Sequence, residues 1–310
     1  GNGLSYMKEK FSLEAGREKF VQIINDVNGS SRDFSTIASD QKQYFKERQK
    51  VAGHWAKIQE QYASLCRNAG AGGLAVCGEC ELCGPGSLFV LDMEYSDGVV
   101  PNFRERFACS ECGLNNRQRF LLGLLKERID AGNHDVYLLE QTTMFFSKAA
   151  ALAGARCTGS EYLGGDKVCG AEYAGIRHED CTCYSFQDMT FDVVVSQDVF
   201  EHVPDIDRSL AETFRILRDG GVLLMTVPFD VNSGKTVQRA MLAEGEVQLL
   251  CDPVYHANPV SEKGSLVYYD FGWDLLDRMR RAGFKKAEVI NYFDTKRMHI
   301  GSDLLVFRGE

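Results

Sequence analysis

The 310-residue chain lacks any apolar run close to the roughly 20 residues that a membrane-spanning helix needs. It also lacks an excess of positive charge, because 35 Lys and Arg stand against 44 Asp and Glu, for a formal net charge of −9. This balance argues against a general binder of nucleic-acid phosphates. The first ten residues, GNGLSYMKEK, lack the apolar core of a signal peptide. We therefore expect a cytoplasmic protein that binds neither membranes nor nucleic acid.

The remaining composition is that of an ordinary globular protein, with 44% hydrophobic and 25% charged residues. A chain of this length can bury a sizeable core, and one domain with a small appendage is the expected arrangement. Eleven cysteines in such a chain favour metal ligation and reduced thiols over a disulfide framework.

Two C-x-x-C-G sequences, separated by a strand-like segment, predict a zinc-ribbon-like module over residues 74–116. Four thiolates in two such pairs match the tetrahedral coordination of a structural Zn²⁺, and the glycine after each pair relieves the tight turn. The expected ligands are Cys80, Cys83, Cys109 and Cys112. Cys77 leaves one thiol spare, so the ligands on the N-terminal side stay open. Free buried cysteines and an iron–sulfur cluster are the alternatives.

Residues 191–229 predict a strand, a helix and a second strand. FDVVVSQ is a continuous apolar run that ends in polar groups, as in a strand buried on both faces. Leu210, Phe214 and Leu217 then recur at helical spacing, and Asp219-Gly220-Gly221 should end the helix. VLLMTVPF predicts a second buried strand, parallel to the first through a right-handed crossover.

The order of motifs around this unit resembles the second half of a class I S-adenosylmethionine-dependent methyltransferase of type 11. The matching sequences are Glu179-Asp180, Phe191-Asp192, Glu201-His202-Val203-Pro204-Asp205, Leu217-Arg218-Asp219-Gly220-Gly221 and Val227-Pro228-Phe229. The resemblance implies an α/β fold with a seven-stranded, Rossmann-like sheet. With the cysteine module, GSEYL and FGWDLL, the chain is similar to bacterial methyltransferases of polysaccharide gene clusters.

The resemblance also implies where S-adenosylmethionine binds. The turn after the first strand, usually rich in glycine, is Glu140-Gln141-Thr142 here, and Glu140 would take the amino group of the cofactor. Glu161, at the end of the second strand, would bind both ribose hydroxyls. The remaining expected contacts are Asp180 and Cys181 at the adenine, and Ser196 and Gln197 near the methyl group.

A long insertion at about 230–270 is expected to cover the acceptor, which we predict to be a carbohydrate or similar polar small molecule. Methylation of a hydroxyl requires a base, and His256 is the first candidate, followed by Asp198. Two alternatives remain: another acceptor atom or chemistry, or a zinc-bearing scaffold protein whose glycine-free turn no longer binds the cofactor.

The predicted organisation has three parts. Residues 1–73 form a helical segment that Asn28-Gly29-Ser30-Ser31 interrupts and that could support a homodimer. Residues 74–116 form the cysteine module, and residues 117–310 the methyltransferase domain. Four arginines flank the second cysteine pair: Arg104, Arg106, Arg117 and Arg119. They would pair with neighbouring carboxylates or, alternatively, contact a phosphate, a nucleotide-linked sugar or a nucleic acid.

Overall fold

The structure, a computed structural model, describes residues 34–258, 261–301 and 304–310. The break predicted at Asn28–Ser31 lies outside these residues. The helices are α1 (Gln41–Gln49), α2 (Ala52–Ala69), α3 (Asn116–Ala131), α4 (Met144–Ala153), α5 (Ile206–Ile216) and α6 (Asp274–Ala282). Among the described residues, the helices are too short or too polar to cross a bilayer.

The strands are β1 (Phe34–Ala38), β2 (Leu74–Cys80), β3 (Gly84–Leu91), β4 (Ala108–Cys109), β5 (Val136–Leu138), β6 (Cys157–Gly159), β7 (Glu172–Tyr173), β8 (Ile176–Arg177), β9 (Phe191–Gln197), β10 (Leu217–Thr226), β11 (Val237–Gln238), β12 (Ala240–Ala243), β13 (Glu246–Leu249), β14 (Tyr255–Asn258), β15 (Ser261–Leu266), β16 (Tyr269–Asp270), β17 (Ala287–Phe293) and β18 (Leu305–Gly309).

A seven-stranded sheet dominates the fold, in the order β1-β17-β18-β10-β9-β5-β6. Strands β6, β5, β9 and β10 are parallel to their neighbours, and β18 runs antiparallel to β10. The expected α/β fold with a Rossmann-like sheet is therefore confirmed. The carboxyl ends of the parallel strands meet at one edge, where open α/β sheets bind their ligands.

The β9–α5–β10 unit forms for the reasons that its sequence indicates. Val193, Val194 and Val195 are at most 1% exposed, as a strand covered on both faces requires. The Asp205 side chain accepts a hydrogen bond from the Arg208 amide and caps α5, a contact worth about 1 kcal/mol.

The end of α5 differs from the expectation. The helix stops at Ile216, and Asp219-Gly220-Gly221 lies within β10 rather than between the helix and the strand. Leu217 already pairs with Phe191, and the register shifts before Val222. Gly220 has φ of 77°, so the glycines accommodate a bulge in the strand.

The described chain forms two compact units. The first comprises residues 34–36, Lys46–Gly123 and Asn291–Leu305, and the second comprises Ile37–Phe45, Leu124–Ile290 and Val306–Glu310, apart from the undescribed residues. In the first unit, α2 buries one face, and Trp55 stacks on Phe293 with ring centroids 4.7 Å apart. The domain boundaries given by the sequence stay a prediction.

Strand β1 was not expected in a segment predicted to be helical. Its burial alternates, with Thr36 and Ala38 buried and Ile37 exposed, which is the two-residue period of a strand. Similarly, the insertion at about 230–270 is built largely from short hairpins, β12–β13 and β14–β15.

Candidate functional site

The turn after β5 is held by a carboxylate at the end of the neighbouring strand. Glu161 Oε1 accepts hydrogen bonds from the Gln141 amide at 2.8 Å, from the Thr142 amide at 2.9 Å and from the Thr142 hydroxyl at 2.8 Å. Gly159 lets the end of β6 lie close to this turn, because a Cβ at position 159 would lie only 2.6 Å from the Glu140 carbonyl oxygen. Three of the predicted cofactor residues thus meet at one point.

Glu140 connects this turn to the end of β9. Its carboxylate accepts hydrogen bonds from the Thr143 hydroxyl and from the Gln197 side-chain amide. Thr143 in turn caps α4 by accepting from the Phe146 amide at 3.1 Å. The structure therefore brings together Glu140 and Gln197, two of the residues predicted to bind the cofactor.

Gln141 and Asp180 both stabilise loops at this edge. The Gln141 side chain bridges the Gly175 carbonyl and the Arg177 amide, at 3.1 and 2.9 Å. Asp180 Oδ1 accepts from the amide and the hydroxyl of Thr182, at 2.8 and 2.7 Å. These contacts order the chain that would surround an adenine, while the Asp180 carboxylate keeps oxygen lone pairs for further donors.

Cys181 and Ser196 point into packed surroundings. Burial raises the pKa of the Cys181 thiol to about 12, so the thiol stays protonated and lies 3.6 Å from Ser209 Oγ. Ser196 is 0% exposed, and its hydroxyl makes no hydrogen bond to the described residues. Of the two predicted residues at the end of β9, Gln197 is the more accessible.

Asp198 has an unusual backbone conformation directly after β9. Its φ is 50°, in the left-handed region that few residues other than glycine adopt. The Thr226 carbonyl accepts from its amide at 2.9 Å, and the Thr226 hydroxyl donates to its carboxylate at 3.0 Å. Local backbone strain of this kind is common where a side chain must be aimed at a ligand.

His256 lies beside a carboxylate that sequence reasoning did not assign to the site. Its Nδ1 atom is 3.6 Å from Glu201 Oε1, and His202 Nε2 is also 3.6 Å from that oxygen. Glu201 is 0% exposed. The Glu-His pair after β9 was visible in the sequence, but its proximity to His256 depends on how the insertion folds.

The four predicted zinc ligands lie together in the first unit. Their sulfur atoms are all within 4.8 Å of one another, with Cys80 and Cys112 3.8 Å apart and Cys109 and Cys83 4.0 Å apart. A tetrahedron with Zn–S bonds of about 2.3 Å has edges of about 3.8 Å, so the arrangement fits one Zn²⁺. Cys77 is exposed and is not a member of this cluster.

The region around the cysteines is tied together by ion pairs. Arg106 pairs with Asp92 and Glu94, and Arg117 pairs with Glu105. The structure thus favours the prediction that the flanking arginines contact neighbouring carboxylates.

Glu81 lies between the two cysteines of the first C-x-x-C-G sequence, here called the first knuckle, and it pairs with His299 and Arg119. Burial alone would raise the pKa of Glu81, but His299 and Arg119 outweigh it and lower the pKa to about 2. The carboxylate stays charged inside the unit and anchors the first knuckle by its hydrogen bond with His299.

Comparisons with known proteins point to one family. Residues 143–225 match the sequence profile described as "Methyltransferase domain". The sarcosine/dimethylglycine N-methyltransferase of Halorhodospira halochloris is 36% identical over 70 residues, 23% of this chain and 22% of that protein. Phosphoethanolamine N-methyltransferase 2 of Caenorhabditis elegans is 35% identical over 48 residues, 16% of this chain and 11% of that protein.

Among solved structures, a methyltransferase of Mesorhizobium loti matches with 17% identity and a TM-score of 0.37, over 61% of this chain and 98% of that one. The chain spans less than a quarter of the two curated relatives. The profile match covers α4 through most of β10, which includes Glu161, Asp180 and the end of β9 but neither the turn Glu140–Thr142 nor His256. Over residues 143–225, this chain is therefore similar to methyltransferase domains.

Proposed function

We propose that the protein transfers a methyl group from S-adenosylmethionine to an oxygen of a carbohydrate or a related polar small molecule. The observation that carries this proposal is the position of Glu161, which bonds the turn after β5 from the end of β6. A carboxylate at this place can accept from the turn through one oxygen and from ribose hydroxyls through the other.

The glycine-free turn is compatible with this role. Its amides are held by Glu161, and Glu140 presents a carboxylate at the end of β5 for the cofactor's amino group. Asp180, with Cys181 next to it, would contact the adenine. If the protein is instead a scaffold, then Glu140, Glu161 and Asp180 serve only to order their own loops.

Methyl transfer is an in-line displacement in which an O–CH₃ bond forms while the S–CH₃ bond breaks, so positioning of the two reactants dominates catalysis. The proton of the acceptor hydroxyl would pass to His256, with Asp198 as the second candidate, and Gln197 and Asp198 would orient the acceptor. A structural Zn²⁺ held by Cys80, Cys83, Cys109 and Cys112 would stabilise the first unit.

The named relatives suggest a second class of acceptor. Both named relatives are N-methyltransferases, but they match only 48 and 70 residues of this chain. An amine acceptor is therefore the second candidate, and a screen for methyl transfer should include amines beside sugars and nucleotide-linked sugars.

Isothermal calorimetry with S-adenosylmethionine and S-adenosylhomocysteine tests the proposal without the acceptor. We expect one site per chain with a dissociation constant of about 1 μM–1 mM, the ordinary range for enzyme substrates. Adenosine serves as the control for binding through the nucleoside alone. Absence of binding by both cofactor forms would support the scaffold alternative.

A further inference from the structure

Glu201 is a buried carboxyl group that two imidazoles approach without an ordinary hydrogen bond. It is 0% exposed, and neither of its carboxylate oxygens accepts a hydrogen bond from the described residues. Burying an ionised carboxylate is strongly unfavourable unless it is paired or coordinates a metal. The side chain lies in the short helical turn Phe200–His202 that follows β9.

Two imidazoles approach this carboxylate at a distance that does not suit a hydrogen bond. His202 Nε2 and His256 Nδ1 each lie 3.6 Å from Glu201 Oε1. Hydrogen bonds between nitrogen and oxygen are usually 2.7–3.2 Å long, so both contacts are longer than an ordinary hydrogen bond. Donor atoms about 3.3–3.6 Å apart are, however, expected around one metal ion with bonds of about 2.0–2.2 Å in tetrahedral geometry.

The protonation of His202 supports a cation between these groups. Its Nδ1 atom lies 2.8 Å from the Leu266 carbonyl oxygen, which can only accept, so Nδ1 carries the proton. In the neutral imidazole, Nε2 then directs a lone pair towards Glu201. Metal-ligating histidines commonly have this arrangement, with the other ring nitrogen donating to a backbone carbonyl.

We propose that Glu201, His202 and His256 bind a divalent transition-metal cation, distinct from the ion of the cysteine cluster. One carboxylate and two imidazoles suit Zn²⁺, Mn²⁺ or Fe²⁺ better than Mg²⁺ or Ca²⁺, which prefer all-oxygen ligands. The three ligand atoms lie within 4.8 Å of one another, and His256 is 37% exposed, which gives the ion access from solvent.

The cation site does not depend on methyl transfer, but it changes the role of His256. A histidine that ligates through Nδ1 is not free to act as the base through that atom. With three protein ligands, the ion keeps at least one position for water or for an acceptor oxygen, and it would make that oxygen more acidic. His256 can therefore act either as a metal ligand or as the base, but not as both.

Titration of the full chain with Co²⁺ tests the site, because cobalt reports its ligands in the visible spectrum. Cobalt bound to thiolates shows intense charge-transfer absorption, whereas cobalt bound to nitrogen and oxygen shows only weaker ligand-field bands. We expect one equivalent per chain of the second type. Glu201→Gln and His256→Ala should each weaken Co²⁺ binding by about tenfold to a hundredfold or more. A loss of that size is typical even for residues that only contact a metal ligand.

His134→Ala is the matched control, since His134 and His256 side chains are 34% and 37% exposed. It should bind cobalt as the original protein does. Near-ultraviolet circular dichroism and calorimetry with S-adenosylhomocysteine report whether each variant is folded and whether the cofactor site is intact. Cobalt binding confined to the thiolates, or unchanged binding in folded His256→Ala, would overturn the cation site, while cofactor binding would still stand.

Discussion

Thr142 donates two hydrogen bonds to a single oxygen of Glu161, one from its amide at 2.9 Å and one from its hydroxyl at 2.8 Å. The contact links the turn after β5 to the end of β6. The turn contains no glycine, and these hydrogen bonds to the Glu161 side chain hold its backbone in place. The proposed cofactor site requires this turn to be ordered before the ligand binds.

Glu161→Ala is expected to weaken S-adenosylmethionine binding by about tenfold to a hundredfold. Loss of a hydrogen bond to a charged group costs about 1.5–3 kcal/mol, which corresponds to that change in affinity. Calorimetry measures it, with exposed Glu246 as the site of a control substitution, Glu246→Ala. Unchanged affinity in Glu161→Ala would remove the ribose assignment.

Thr142→Ala separates the two roles of Glu161. It removes the hydroxyl donor, a hydrogen bond to a charged oxygen worth about 1.5–3 kcal/mol, but the amides of Gln141 and Thr142 still hold the turn on Glu161. We expect cofactor affinity to fall by no more than about tenfold. A loss as large as that of Glu161→Ala would mean that Glu161 acts by ordering the turn and not by contacting the ribose.

Cys109→Ser should lower both the zinc content and the thermal stability of the protein, whereas Cys77→Ser should change neither. Cys109 is 1% exposed and lies in the four-sulfur cluster, while Cys77 is exposed and outside it. Elemental analysis and thermal melting of the two variants give the comparison. Equal zinc in both, or iron in place of zinc, would contradict the assignment.

Much of the fold follows from local sequence. The β9–α5–β10 unit was predictable because a continuous valine run, a capped amphipathic helix and a second apolar run stand in sequence order. The cysteine cluster was predictable because two knuckles each place a pair of thiols three residues apart. Both signals lie within short stretches of chain.

The parts that sequence did not reveal depend on distant contacts. β1 lies 249 residues before its sheet neighbour β17, counting from Ala38 to Ala287, and five residues carry too little pattern to predict that pairing. Glu201 was visible as part of a motif, but its burial beside His256 depends on the hairpin β14–β15. The bulge at the start of β10 likewise depends on pairing with β9.

Asp198→Asn should preserve stability and reduce methyl transfer. Asparagine tolerates a positive φ and can still accept from the Thr226 hydroxyl, so the free energy of unfolding should change by less than about 0.5 kcal/mol. Asp198→Val forces a β-branched residue into the same backbone and should cost about 1–3 kcal/mol. Denaturant unfolding distinguishes the two, and equal stability of both would argue against strain at this position.

His256→Ala should lower turnover by about a hundredfold to ten-thousandfold, as expected when a general base is lost. Cofactor affinity should hardly change, because His256 is assigned to the acceptor side. Formation of S-adenosylhomocysteine with an acceptor from the sugar and amine screen is the readout. Full turnover by a folded His256→Ala protein would exclude His256 as the base, while the cobalt titration decides its role as a metal ligand.

A crystal structure of the full chain with S-adenosylhomocysteine tests the central claim most directly. We predict the ligand at the carboxyl ends of β5, β6 and β9, with its ribose hydroxyls on Glu161, its adenine beside Asp180, and its sulfur directed towards Asp198 and His256. Crystals grown with saturating ligand that show no density at this edge, or that place the ligand elsewhere, would contradict the account.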